Sequence, residues 1–216
     1  MNIDFPKYIT REYPVILDIG THNGQDSVKF FNLFPTARIF AFEADPAVWP
    51  IFEQNVSAQI PYPNSRLELI KYAVSDVNGE QSFFASHFEG WHAAPDNTPG
   101  ASGTFKRPTN HLRQHPEVKF TETRVQSITL DTWFKTKSID IIDFAWTDVN
   151  GAEIALFKGG IETFTNHTRY LQLESIPYTE WNDQPTRDQL LELLPDFTLI
   201  DQDDTNILLK NNKLDK

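Results

Sequence analysis

The chain has 216 residues, 39% of them hydrophobic and 13% aromatic, which is enough for one sizeable core and short for two. Its formal charge of −11 at pH 7 disfavours nucleic acid or an anionic membrane as a general partner, because phosphate is repelled, and the lack of cysteine excludes disulfide frameworks, thiolate–zinc sites and cysteine nucleophiles. The opening MNIDFPKYIT carries acid and proline where a secretory signal needs an apolar run, and no stretch approaches the ~18 apolar residues of a membrane helix, so the expected location is the cytoplasm.

Short apolar runs alternate with longer amphipathic ones, the pattern of repeated βα units and a largely parallel sheet. Val15 to Ile19, apolar on both faces, is a buried strand, and Gly20 to Gly24 a turn. Asp26 to Phe34 is a helix with Val28, Phe31 and Phe34 turned inward, closed by Pro35. Arg38 to Phe42 is the second strand. A helix from Asp45-Pro46 to about Ala58 follows, then a third strand over Leu67 to Val74. Asp76 to Gly79 is a tight turn into Gln81 to Ala85, forming a hairpin.

Ser86 to Pro116 holds four histidines, four prolines and three glycines with little periodicity, and is expected to be a long substrate loop or lid. Beyond it come a strand at Thr123 to Ile128, a short helix at Leu130 to Phe134, a central strand at Ile139 to Ala145 and a helix at Ala152 to Phe164. Tyr170 to Glu174 is a further strand and Thr186 to Leu194 a helix. Phe197 to Ile200 and Thr205 to Leu209 form a closing antiparallel pair. No repeat or linker interrupts the series, so residues 1–216 are expected to form one domain.

The first strand and its turn carry the strongest functional signal. Asp18-Ile-Gly20-Thr-His22-Asn-Gly24 lies between strand and helix, and the second strand ends at Glu43. Small residues let a ligand approach the backbone, and an acid about 20 residues on is placed to hold a ribose diol. The glycine spacing is G-x-x-x-G, not the G-x-G-x-x-G of a pyrophosphate site, and Asp18 would repel phosphate while attracting an ammonium group. A ribose, an ammonium and no phosphate describe S-adenosylmethionine better than NAD.

These residues resemble the FkbM family of methyltransferases. Ile16 to Gly24 is similar to its first motif, Ile39 to Pro46 to its ribose-binding strand, and Tyr72 to Gly79 to its third strand and turn. Gly100 to Thr104 resembles a serine-containing loop motif. Ser127 to Trp133 and Ile139 to Gly160 match best, around Asp148-Val-Asn-Gly-Ala-Glu153. The resemblance covers nearly the whole chain. It implies a Rossmann-like class I methyltransferase fold, an α/β architecture with a mostly parallel seven-strand sheet, helices on both faces and an antiparallel C-terminal strand pair. It also implies methyl transfer to oxygen on a sugar or small metabolite, with Ala73, Val74 and Asp76 near the adenine. The sequence departs from the family at Asn150, where glutamate or glutamine is usual, and at Thr21 and His22.

The candidate cofactor-binding residues are Asp18, Gly20, His22, Gly24, Glu43, Ala73, Val74, Asp76 and Asp148. Asp148, His92 and Glu174 are the candidate catalytic residues. Asp148 follows a buried strand, Glu174 ends the next one, and His92 beside Trp91 is the first choice of general base among His87, His92, His111 and His115. Ser102 could donate to substrate or only shape the loop. Glu153 suits the N-terminus of its helix better than catalysis. Asp148, Asn150 and Glu174 could form an oxygen-rich set for Mg²⁺, although no spacing specifies a metal. Two rivals stand beside the enzyme reading: an NAD(P)-dependent oxidoreductase, and a non-catalytic module that keeps or has lost adenosylmethionine, which Asn150 keeps open.

Overall fold

A computed structural model describes residues 3–88, 101–175 and 181–214. Ten strands and seven α-helices follow one another in these residues. β1 (Val15–Ile19), β2 (Arg38–Phe42), β3 (Leu67–Ile70), β7 (Ile142–Thr147), β8 (Thr168–Glu174), β9 (Phe197–Gln202) and β10 (Asn206–Asn211) form one seven-stranded sheet in the order β3-β2-β1-β7-β8-β10-β9. The first five strands run parallel and β10 runs against both of its neighbours. This is the expected architecture.

Alternate side chains of each central strand enter opposite faces of the sheet, so both faces must be apolar. Ile16, Ile39, Ala41 and Phe144 enter one core with Phe30 of α1 (Gln25–Leu33) and Phe52 and Val56 of α2 (Trp49–Ser57). Leu17, Phe40, Phe42 and Ala145 enter the other. There they meet Trp133 of α4 (Leu130–Lys135), Leu156 of α5 (Glu153–Gly159), Phe164 of α6 (Ile161–His167) and Leu190 of α7 (Arg187–Glu192). Val28 of α1 is buried as expected, Phe31 and Phe34 pack partly buried against the same core, and Phe30, which the spacing did not select, is its most buried apolar residue. Phe5, on a 3₁₀ turn at Phe5–Tyr8, stacks on Phe144 at 4.4 Å, and Phe30 packs edge-on to both.

Four local expectations are corrected. The third strand does not run through to Val74: it ends at Ile70, and β4 (Ala73–Val74) belongs to a second sheet of order β4-β6-β5. Tyr72 N–H donates to Ile70 O, a sharp bend that takes the chain out of the main sheet. The hairpin is absent as well. β5 (Gly79–Phe88) pairs antiparallel with β6 (Val118–Ile128), while β4 lies parallel on the other edge of β6. The Asp76–Gly79 turn wraps the end of β6, where the Ser127 hydroxyl donates to Val77 O and Gly79 O.

The helix expected over Ala152–Phe164 is two, broken at Gly159-Gly160. A Cβ on Gly159 would lie 1.9 Å from Ser75 O, so the second sheet packs against the break itself. The segment 86–116, expected to be irregular, contributes the end of β5 and α3 (Thr109–Gln114).

Candidate cofactor and active site

A cavity of ≈ 310 Å³ opens beyond the C-terminal ends of β1, β2 and β7, where an open parallel sheet binds ligands. Its walls come from the turn after β1, the end of β2, Tyr72–Val74, Phe83, the segment Ala101–Phe105, and the end of β7 with the loop after it.

Backbone geometry fixes the first wall. Gly20 and Thr21 N–H both donate to Phe42 O, and Asp148 N–H donates to Ile19 O, so the ends of β1, β2 and β7 are tied together. Gly20 has φ +89°, and an added Cβ would sit 1.8 Å from Asp148 O. Only glycine permits that approach. Gly24 has a different job: its Cα faces Phe52 and Val56, and it seats α1 against α2 outside the lining of the cavity. Asp18 is also outside the lining. It is fully buried behind the turn, accepting from the Thr21 hydroxyl at 2.7 Å and from the Ser27 hydroxyl. Burial pushes its carboxyl up to about 7, against the lowering effect of the Ser27 and Thr21 bonds. Asp18 therefore shapes the turn from behind.

Glu43 lines the cavity from the end of β2. Its Oε2 accepts His22 N–H at 2.9 Å and its Oε1 accepts Asp45 N–H at 2.7 Å. Burial pushes this carboxyl up to about 7, with Asp45 adding to the rise and the backbone N–H bonds opposing it. Each carboxylate oxygen retains acceptor capacity, so two further donors from the cavity can be taken. Trp49 Nε1–H donates to Glu43 O and fixes the strand end.

Asp148 and Asn150 line the opposite wall, on the loop between β7 and α5. Asn150 (φ 51°) and Gly151 (φ 85°) are left-handed, which turns the chain sharply into α5. Glu153 is buried and accepts Gly151 N–H at 3.1 Å. Burial raises its carboxyl to about 7, and it stands outside the lining, as a residue of the helix start rather than of the cavity. Asn150 Nδ2 donates to Ala101 O and Gly103 O at 3.4 and 3.2 Å, and Asn150 O accepts the Thr104 hydroxyl at 2.6 Å.

The structure thus gathers Gly20, His22, Glu43, Ala73, Val74 and Asp148 around one cavity. It leaves out Asp18, Gly24, Asp76 and Glu174. Asp76 is exposed in the turn after β4, where its carboxylate accepts the Ser75 hydroxyl, and Glu174 pairs with Asn206 at the β8–β10 border. The Mg²⁺ trio consequently does not assemble, and among the described residues no group of three His, Asp or Glu side chains could hold a metal ion. His92 lies outside the described residues. His87 bonds the Thr121 hydroxyl on the second sheet, while His111 stacks on Trp181 at 4.5 Å and packs beside His115, and none of the three lines the cavity. Among the described lining residues the histidine is His22. Ser102 is not part of the lining, and its N–H donates to Ser86. Tyr72, Phe83, Thr104 and Trp146 are lining residues that the sequence reading did not select. Only strand alternation in β7 could have pointed to Trp146, since the others depend on the second sheet.

The model of the methyltransferase FkbM domain matches residues 18–204. The chain belongs to the FkbM methyltransferase family. It is 36% identical to the 2-O-methyltransferase NoeI of Sinorhizobium fredii, over an alignment covering 93% of this chain and 81% of that one. Among solved structures it is similar to the FkbM methyltransferase of Methylobacillus flagellatus, with a TM-score of 0.57 at 14% identity, covering 96% of this chain but 46% of that longer one. It also resembles a putative rRNA methylase of Clostridium thermocellum, with a TM-score of 0.52 at 10% identity over 96% and 90% of the two chains. These two likenesses establish the fold. As an FkbM member the protein is an S-adenosylmethionine-dependent methyltransferase, and neither the oxidoreductase nor the non-catalytic module is favoured. Among the described residues no helix is long and apolar enough to cross a membrane.

Proposed function

We propose that the protein transfers the methyl group of adenosylmethionine to a hydroxyl of a sugar or another small metabolite. The observation that carries this is that Glu43 and Asp148 line one cavity, from the ends of β2 and β7 on either side of β1. The residues fit the cofactor: a carboxylate with spare acceptor capacity suits a ribose diol, and the bare backbone of Gly20 suits close approach. When bound, adenosylmethionine supplies a methyl carbon activated by its sulfonium. Glu43 accepts the ribose hydroxyls, and Ala73 and Val74 give an apolar edge for the adenine. His22, held in a left-handed turn with its N–H on Glu43, keeps the loop against the ligand.

Asp148 is the acid placed to orient the acceptor or the methionine ammonium. Alignment of this kind contributes about 7–11 kcal/mol to such reactions, against about 10²–10⁴-fold from a base. Support for a neutral acceptor comes from the lining, which includes Asp26, Glu43 and Asp148 and, among the described residues, no lysine or arginine. A polyphosphate acceptor such as nucleic acid would meet like charge there and over a surface of net charge −11. Transfer to oxygen is further supported by the 36% identity to the Sinorhizobium 2-O-methyltransferase.

The test is calorimetric titration with adenosylmethionine and with NAD⁺, then a screen of sugars and hydroxylated metabolites for methyl acceptance. Micromolar binding of adenosylmethionine alone, followed by methylation of a hydroxyl, is expected. Binding of NAD⁺ instead, or methylation confined to RNA, would overturn the proposal.

A further inference from the structure

Thr104 joins two parts of the molecule in the wall of the cavity. Its backbone pairs with Phe84 of β5 in both directions, N–H to Phe84 O at 3.1 Å and O from Phe84 N–H at 2.8 Å. Its hydroxyl donates to Asn150 O on the β7–α5 loop, and Asn150 Nδ2 returns two bonds to Ala101 O and Gly103 O. The same Thr104 oxygen accepts Lys106 N–H at 3.0 Å, and the side chain is buried. Ala101, Gly103, Thr104 and Phe105 are all cavity wall. Phe105 packs edge-on against Phe83, a further wall residue, at 5.5 Å. The second sheet is thereby fastened to the loop that carries Asp148.

We propose that Asn150 and Thr104 form a clasp that holds Ala101–Phe105 as a roof over the cofactor, and so sets how tightly the cofactor is kept. Asn150 is then a positioning residue. The proposal rests on the cavity being the cofactor site.

A purely conformational role for Asn150, that of tolerating φ 51°, would be met equally by glycine or aspartate. The clasp distinguishes them. Asn150→Gly removes the donors and leaves the Thr104 bond, so adenosylmethionine affinity should fall on the order of 3- to 10-fold. Asn150→Asp sets a carboxylate against two carbonyl oxygens and should be the weaker binder of the two. Thr104→Val, which keeps the shape and removes the hydroxyl, should match Asn150→Gly. Combined with it, Thr104→Val should cost less than the product of the single losses.

Amide hydrogen exchange of the ligand-free proteins gives an independent reading. Thr104 and Lys106 should exchange faster in Asn150→Asp and Thr104→Val, while the β7 and β8 amides keep their protection. Equal affinity and equal exchange in Asn150→Gly, Asn150→Asp and the unaltered protein would overturn the clasp. Failure of the unaltered protein to bind adenosylmethionine would instead overturn the cofactor site, and exchange would still report on the fastening.

Discussion

Replacing Glu43 by glutamine, a nearly isosteric change, should cost cofactor binding about as much as deleting the side chain. The two carboxylate oxygens each accept a backbone N–H, from His22 at 2.9 Å and from Asp45 at 2.7 Å. Glutamine has one oxygen and one NH₂ group, so whichever way the amide lies, a donor faces a donor. It also withdraws the charge from two bonds to the ribose diol, each worth about 1.5–3 kcal/mol. Losing half or more of that total predicts a weakening of about 10²-fold, at 1.4 kcal/mol per tenfold.

Calorimetry across pH separates this from a general loosening. Burial holds the Glu43 carboxyl near 7, and the ionised form is the better acceptor, so affinity is fully present above that pH. It should fall by up to about tenfold per pH unit below it. Glu43→Gln should bind weakly at pH 8 and show a shallower slope. Affinity within threefold of the unaltered protein at pH 8, or an undiminished slope, would refute the proposed recognition.

The other expectations concern stability and turnover. Asp18, Glu43 and Glu153 all have folded values near 7, raised above their ordinary 3.8 to 4.5, so the folded protein binds more protons than the unfolded chain between those limits. Stability of the ligand-free protein should therefore fall as pH rises from about 5 to 7.5, opposite to cofactor affinity, and melting at several pH values checks it. Gly20→Ala should prevent folding or lower Tm by far more than Gly79→Ala. Both glycines have positive φ, but an added Cβ meets Asp148 O at 1.8 Å in the first case and open space in the second. Asn211→Ala should destabilise by about 2–4 kcal/mol in urea melts, because its buried amide donates to the carbonyls of Phe164, Thr165 and Thr168. Asp148→Ala should abolish turnover with an identified acceptor while the protein stays folded, and near-normal rates would remove its proposed role.

The order of elements was legible because a parallel sheet covered on both faces leaves a plain signature. Ile16 and Leu17 are adjacent and both apolar because they enter opposite cores, and the same holds for Ile39 and Phe40. Gly20, Glu43 and Asp148 could be found because strand ends in such a sheet converge, and local sequence marks a strand end. Asp18, Asp76 and Glu174 were selected by the same local logic and stand outside the cavity. Sequence can place a carboxylate at the tip of a strand, but the direction in which it points depends on what packs behind it. For Asp18 that is Ser27 and Thr21.

The second sheet was hidden for a related reason. β5 and β6 are separated by the segment whose histidines and prolines looked irregular, and nothing near Gly79 announces a partner beginning at Val118. The amino-acid sequence by itself determined the fold class, the family and the three residues that meet at the strand ends, since each is a matter of local pattern. Only tertiary structure decided which acids line the cavity and what fastens its wall at Thr104, because Thr104 and Asn150 meet 46 residues apart, through bonds that no local pattern specifies.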